Sequence, residues 1–118
     1  MADAPAPICY LEIPAPDLGK AGTFYHAVFG WTVAPSGDYR IFRTGENSLE
    51  GGLDPRKPVV DGGILIYLKV ADIPATLDEV RAAGGSVVQE KTQVGPEWGF
   101  FAIFRDPNGN RVGLWSRT

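Results

Sequence analysis

The sequence predicts an α+β fold built from two βαβββ modules in tandem. Two segments carry apolar residues at helical spacing, and each of them follows a short strand-like run. Three further strand candidates follow each helix before the pattern repeats, which indicates an internal duplication. With 118 residues, of which 44% are hydrophobic, the chain is long enough for one ordinary domain with its own core.

The first module is predicted over residues 6–53. A strand-like run at 8–13 precedes a helix that opens at Asp17 and ends at Gly30, because glycine is favoured just after a helix. The apolar or small residues of this helix stand at 18, 21, 24, 25, 28 and 29. Further strands are predicted at 31–35, 39–44 and 47–53.

A connector rich in proline and glycine at 54–63 leads into the second module, predicted over 64–118. A strand at 64–70 precedes a helix that opens at Asp72, since Pro74 suits a first turn and Gly84 a helix end. Further strands are predicted at 86–93, 99–105 and 111–116, and DPNG at 106–109 is typical of a tight turn.

Charge and composition exclude several classes of partner. The net charge is −3 and the basic residues are scattered singly, so no basic stripe for nucleic acid is predicted. No segment approaches the roughly 20 apolar residues of a membrane span, and none resembles a secretory signal. The single cysteine, Cys9, cannot form an internal disulfide, so a cytoplasmic location is expected.

Three segments carry a family resemblance: CYLEIPAPDLGKAGTFYHAVFGW at 9–31, YLKVADIPATLDEVRAAGG at 67–85 and FRDPNGNRVGLW at 104–115. In this order the chain resembles the vicinal oxygen chelate superfamily, which includes glyoxalase I, extradiol dioxygenases, and fosfomycin-resistance and bleomycin-binding proteins. The resemblance implies a single domain over 1–118, in which the modules form an open, half-barrel-like mixed sheet with the helices on its outer face.

The resemblance also implies where a divalent cation would be held in metal-dependent members. The family pattern places those four ligand positions at Tyr10, Glu50, Leu65 and Gly113. Only Glu50 is a good ligand, and such a cation needs three or four nitrogen or oxygen donors. The expectation is therefore no metal and no cofactor, with Gly113 leaving room inside the cleft.

Strand alternation then predicts which side chains face that cleft. The predicted ligand-binding residues are Tyr10, Glu12, Glu50, Leu65, Tyr67, Trp98, Arg111, Gly113 and Trp115. Such a set suits an aromatic organic molecule, or a planar cation stacked on Tyr67 or Trp115. In the alternative interpretation, Tyr10 and Tyr67 only fill the interior, and the glutamates form an internal ion pair with Arg111.

Four functions remain open at this point. The first is a metal-free protein that binds an aromatic or cationic small molecule, as the bleomycin-resistance branch does. The second is a metal-independent lyase or isomerase with Glu50 or Glu12 as general base, and Tyr10 or Arg111 steadying an oxyanion. The third is a metal-dependent glyoxalase or dioxygenase that recruits residues such as Glu97 and His26. The fourth is an interaction module. Homodimerisation is expected in each case, with modules paired within one chain or exchanged between two.

Overall fold

The α+β class and the two βαβββ modules are confirmed in the computed structural model, which describes residues 4–60 and 62–118. The predicted connector includes Asp61, which lies outside the described residues. The elements are β1 (Ile8–Pro14), α1 (Leu18–Phe29), β2 (Thr32–Ser36), β3 (Tyr39–Arg43), β4 (Glu50–Asp54), β5 (Leu65–Lys69), α2 (Ile73–Ala82), β6 (Ser86–Gly95), β7 (Gly99–Arg105) and β8 (Arg111–Ser116).

Contacts divide the chain into two units that differ slightly from the predicted modules. Residues 9–65 form one unit, called module one below. Residues 66–118 form the other, module two, together with residues 4–8. The N-terminal segment joins module two because the backbone N–H of Lys69 donates a hydrogen bond to the carbonyl of Pro7, at 2.9 Å. Residues 6–8, which the sequence assigned to module one, are thus grouped with module two by their contacts.

Both helices begin and end where the sequence predicts. The side chains of Asp17 and Asp72 accept hydrogen bonds from backbone N–H groups in the first turns of α1 and α2. Gly30 ends α1 in the left-handed conformation, at φ 73°. In the described part of the chain, no helix is long and apolar enough to cross a membrane.

Module one is a four-stranded sheet in the order β2-β3-β4-β1, with α1 packed on one face. β1 runs parallel to β4, and β3 runs antiparallel to both β2 and β4. The core under α1 contains buried Phe42 and Leu53, against which Leu11 and Ile13 of β1 pack. Trp31 stacks between Tyr25 and Phe42, with ring centroids 4.7 and 4.6 Å away.

The apolar spacing of α1 is only partly explained by this core. Leu18, Ala21 and Tyr25 pack against the buried cluster. Phe24 and Phe29, however, are 52% and 60% exposed, and Val28 is exposed as well. Of the six positions with helical spacing, three therefore pack into this core and three face outward.

Module two repeats the arrangement in the order β5-β8-β7-β6, with α2 on one face. β5 is parallel to β8, and β7 is antiparallel to β6 and β8. Ile73 and Leu77 of α2 pack with Ala102 of β7 and Leu114 of β8 in a fully buried cluster. Because side chains alternate along a strand, the neighbours of these core residues project from the opposite face.

Two strand boundaries differ from the sequence prediction. β4 begins at Glu50 rather than 47, because Asn47 takes a positive φ of 56° in the loop that precedes it. β6 continues to Gly95, with irregular register along its length. The predicted turn at 106–109 is confirmed, with Gly109 at φ 93°. There the carboxylate of Asp106 accepts hydrogen bonds from the backbone of Asn108 and Asn110.

Candidate functional site

The positions that the family pattern assigns to metal ligands are poor in donors. In module one, Tyr10 on β1 lies directly opposite Glu50 on β4, as strand parity predicts. The Glu50 carboxylate forms an ion pair with Arg43 of β3, with Nε and Oε2 3.2 Å apart. Both side chains are substantially exposed, at 44% and 61%, so this pair is worth at most about 1 kcal/mol. Leu65 is buried and offers no donor atom.

Gly113 does not leave open room, and the sequence interpretation was wrong on this point. The aromatic ring of Tyr67, on the neighbouring strand β5, covers Gly113. A Cβ atom built on Gly113 would lie 2.8 Å from Tyr67 Cγ and closer still to two other ring atoms. Because real Cβ atoms do not approach so closely, position 113 admits no side chain while the Tyr67 ring keeps its place.

A similar arrangement exists in module one, which sequence reasoning missed. The ring of Tyr39 covers Gly52, where an added Cβ would lie 2.6 Å from Tyr39 Cε1 and closer to its hydroxyl. The hydroxyls of Tyr39 and Tyr10 are hydrogen-bonded at 2.6 Å. The adjacent Gly51-Gly52 pair within a predicted strand was the available signal, since glycine in a strand often marks a close approach.

The phenol of Tyr10 is held in its protonated form. Burial raises its pKa to about 12, because the phenolate would lose hydration. The hydrogen bond to Tyr39 acts in the opposite direction, and the negative charges of Glu12 and Glu50 add to the increase. At neutral pH Tyr10 is therefore a neutral hydroxyl and neither a metal-binding phenolate nor a base.

Three carboxylates of module one, Glu12, Glu50 and Asp54, have cationic partners from the same module. Lys57 Nζ donates to Glu12 Oε1, so the partners of Glu12 and Glu50 are Lys57 and Arg43. The internal ion pair with Arg111 that the sequence left open is not the arrangement found. Buried Asp54 accepts from Arg56, and although burial opposes ionisation, these hydrogen bonds and the nearby positive charge lower the pKa of Asp54 below its usual value.

Glu50 and Arg43 also border a groove of about 460 Å³ in module one. The lining residues are Gly30, Thr32, Arg43, Thr44, Gly45, Glu46, Asn47, Ser48 and Glu50. The Thr44 hydroxyl donates to the Leu49 carbonyl at 2.6 Å and shapes the loop that forms one wall. The groove is large enough for a small organic molecule. Residues 47–49 of its loop wall were predicted as strand, so the sequence did not indicate this groove.

In module two, Trp115 lies on the sheet face opposite α2, as predicted. Its ring has two cations of its own chain over it: Lys69 Nζ is 5.9 Å and Arg117 Cζ 5.7 Å from the centroid. Its Nε1–H donates to the carbonyl of Trp98 at 2.7 Å, which links Trp115 to the β6–β7 turn. Arg111, at the start of β8, lies opposite Arg105. These cations disfavour a positively charged ligand at Trp115.

The residues present do not fit a catalytic divalent cation. Within residues 4–60 and 62–118, no group of three or more histidine, cysteine, aspartate or glutamate side chains could hold a metal ion. His26 directs its Nδ1 to the carbonyl of Trp31, at 2.9 Å. Recruitment of His26 and Glu97 as ligands is therefore unsupported in this part of the chain, and no chemical step is derived through a metal.

Comparison with known proteins agrees with the fold and the sequence motifs. The sequence model of the family described as Glyoxalase/Bleomycin resistance protein/Dioxygenase superfamily matches residues 8–114. The chain is 36% identical over 99 residues to the "Putative glyoxylase CFP32" of Mycobacterium bovis, in a match that covers 80% of this chain but 37% of that protein. The chain thus spans little more than a third of that relative. It is 28% identical over 116 residues to a "Glyoxylase-like domain-containing protein" of Didymella fabae, covering 91% of each.

Solved structures share the fold at low sequence identity. Methylmalonyl-CoA epimerase from Mycobacterium tuberculosis has a TM-score of 0.72 at 16% identity, covering 100% of this chain and 93% of that one. A glyoxalase/bleomycin resistance protein/dioxygenase superfamily member from Vibrio splendidus has a TM-score of 0.68 at 16% identity, covering 97% and 100%. Since the family model also matches nearly the whole length, the chain belongs to the glyoxalase/bleomycin resistance protein/dioxygenase superfamily.

Proposed function

We propose that this chain is a metal-free small-molecule-binding protein that holds an aromatic organic ligand against its sheet. The observation that carries the proposal concerns Gly113. The family pattern places a metal ligand at this position, but the residue is a glycine and the ring of Tyr67 covers it. With Leu65 unable to donate and Tyr10 neutral, the side chains left for recognition are aromatic rings and charged groups.

Binding without a metal is tested by titration of aromatic compounds followed by NMR and calorimetry. The protein is used after treatment with a chelator and again with added divalent ions. We expect the same affinity in both conditions. Affinity that disappears with the chelator and returns with a divalent ion would contradict a metal-free site, and no binding by any member of a broad aromatic panel would refute the function itself.

A matched pair of tryptophan variants localises the ligand. Trp115 lies on the sheet face opposite α2, whereas Trp31 stacks between Tyr25 and Phe42 on the helix side of module one. We expect W115F to weaken binding and W31F to leave it within error, provided that both variants keep the native NMR spectrum. Equal losses in the two variants would mean that the effect reports stability rather than contact.

A second candidate function rests on the groove beside Glu50. The Glu50 carboxylate lines this groove, and Tyr10, which keeps its proton, lies opposite Glu50 in the strand register. The pair could act as general base and hydrogen-bond donor in proton abstraction next to a carbonyl group. The names of relatives, including putative glyoxylases and methylmalonyl-CoA epimerases, make such chemistry worth testing. Glu12 is less suited, because it does not line this groove and its side chain is only 12% exposed, against 44% for Glu50.

The enzymatic candidate is tested with α-hydroxy carbonyl substrates and two glutamate variants. Glu50 and Glu46 line the same groove, so E46Q removes the same charge from the same place without removing the proposed base. A base role requires that E50Q abolish turnover while E46Q retains most of it. Turnover that is unchanged in E50Q would remove Glu50 from the mechanism.

A further inference from the structure

The sheet face of module two opposite α2 carries an unbalanced set of positive charges. Leu68, Leu114 and Phe104 pack under α2, so Lys69, Trp115 and Arg105 project from the other face. The strand register confirms this grouping, since Lys69 lies opposite Trp115 and Arg105 opposite Arg111. Arg117, two residues beyond Trp115, also approaches the Trp115 ring.

Among the described residues, no carboxylate forms an ion pair with these cations. Within the part of the chain that the structure describes, no ion pair is formed by the cations of this face: Lys69, Arg105, Arg111 and Arg117. Arg105 instead donates to the carbonyl of Gly109, at 3.0 Å. Asp78 and Glu90 of module two are both paired with Arg81.

This cluster of exposed positive charge contrasts with the net charge of −3 of the whole chain. Like charges placed directly opposite each other on neighbouring strands destabilise a sheet, as Arg105 and Arg111 are. A cluster of one sign creates a potential that attracts ions of the other sign. This cluster of cations is therefore suited to binding an anion.

Two tryptophans indicate the shape of the ligand. Trp98 is 55% exposed, and its carbonyl is held by the indole N–H of Trp115. The half-buried indole of Trp115, with Lys69 and Arg117 beside it, and the exposed indole of Trp98 suit a flat ring that carries an acidic group. A cationic ring would meet the same two cations and be repelled.

We propose that this face of module two recognises a planar organic anion, an aromatic carboxylate or phosphate ester. The ring stacks on Trp98 and Trp115, and the acidic group is held by Lys69 and Arg117. This inference rests on the proposed binding function and names the chemical class of its ligand. It replaces the cationic ligand that the sequence suggested for Trp115 with one of opposite charge.

The test compares probes of one shape and different charge. The probes are 2-naphthoate and 2-naphthyl phosphate as anions, 2-naphthalenemethanol as the neutral analogue, and 2-naphthylmethylammonium as the cation. Binding is followed by the indole N–H signals of the three tryptophans, assigned with W98F and W115F. We expect the anions to bind at least about tenfold more tightly than the cation, to shift the Trp98 and Trp115 signals, and to leave Trp31 unchanged. The stronger of the two anions identifies the acidic group.

Lysine variants separate a local contact from general charge. K69M removes a cation over Trp115, whereas K91M removes one 4.5 Å from the centroid of Phe100, a ring that packs with the core under α2. We expect K69M to weaken naphthoate binding about tenfold and K91M to have little effect. Should K69M fail to fold, the salt dependence of the unmodified protein still tests whether the anion is held by charge, because its affinity must then fall as salt increases.

The failures of the two proposals are distinguishable. Preferred binding of the neutral or cationic probe at the same tryptophans overturns the anion class and leaves the binding function intact. Equal weakening by K69M and K91M, or affinity for naphthoate independent of salt, also overturns the assigned contacts. The absence of binding by every probe refutes this face as a ligand site and counts against the proposed function as a whole.

Discussion

The packing of Tyr67 on Gly113 makes a quantitative prediction about the smallest possible side chain at that position. In Gly113→Ala the added Cβ would lie 2.8 Å from Tyr67 Cγ and closer to two neighbouring ring atoms. Tyr67 is only 9% exposed, so its ring must shift within a packed environment. Overpacking of this kind costs about 2 kcal/mol, which lowers Tm by about 8 °C in a domain of this size.

Gly22→Ala is the matched control for this substitution. Gly22 lies within α1, and a Cβ there would make an ordinary contact of 3.5 Å with Val33 Cγ1. Because alanine is a better helix former than glycine, this variant should be stabilised by about 0.5–1 kcal/mol. The same chemical change is thus expected to have opposite signs at the two positions, as measured by urea and thermal unfolding.

A double-mutant cycle identifies Tyr67 as the cause. Tyr67→Ala alone is destabilising, since it removes a buried aromatic ring. If the ring is what excludes a side chain at 113, then Gly113→Ala should cost about 1–3 kcal/mol less in the Tyr67→Ala background. A Gly113→Ala variant as stable as the wild type, or a cycle with no coupling energy, would refute the packing argument and reopen position 113 to a ligand side chain.

Three further predictions follow from the same structure. Burial raises the pKa of Tyr10 to about 12, above its unfolded value of 10.0, so the stability that it contributes is complete below pH 10 and declines above it. Absorbance titration of the wild type and Y10F checks this, and the loss in Y10F of a step near pH 10 rather than near pH 12 would contradict it. The pKa of Asp54 is lowered in the folded state, so its contribution to stability is complete above its unfolded value of 3.8 and is lost as the pH falls through the folded pKa. The variant D54N should therefore flatten the dependence of Tm on pH in that acidic range only. An altered pH dependence of Tm near neutral pH would contradict this. The homodimer expected from the family resemblance remains a prediction. Sedimentation equilibrium should show a dimer, and F24S and F29S should weaken it, because Phe24 and Phe29 are exposed apolar rings on α1. A monomer at all concentrations would exclude the dimer.

The sequence predicted what local chemistry determines. Helix ends followed from Asp17, Gly30 and Asp72, since capping depends on residues within a few positions. The facing of β1 followed from strand alternation, and the shortage of metal donors followed from residue types alone. What local sequence does not determine is which distant side chain meets a given residue. Arg43 and Lys57, the partners of Glu50 and Glu12, were therefore absent from the predicted site.

The same distinction explains the error at the loop before β4 and the two cations that the sequence did not predict at Trp115. Residues 47–49 have strand-like neighbours in sequence, but the positive φ of Asn47 requires a loop, which in turn forms the wall of the groove beside Glu50. Trp115 was predicted to attract cations because an isolated indole ring does so. Its ring already has Lys69 and Arg117 over it, and these come from another strand and from the chain end.

Gly113 and the Tyr67 ring form one packing arrangement: the glycine has no side chain, and the ring lies where a side chain would be. A glycine on a central strand would leave a void in the sheet face, and proteins rarely keep such voids. The Tyr67 ring fills that volume, so a carboxylate cannot be restored at 113 by substitution at that position alone. Recovery of a metal-ligating geometry would require removing the ring as well, at the cost of the buried contacts that it makes. The two residues therefore maintain each other, and position 113 cannot supply a metal-ligating side chain while the Tyr67 ring keeps its place.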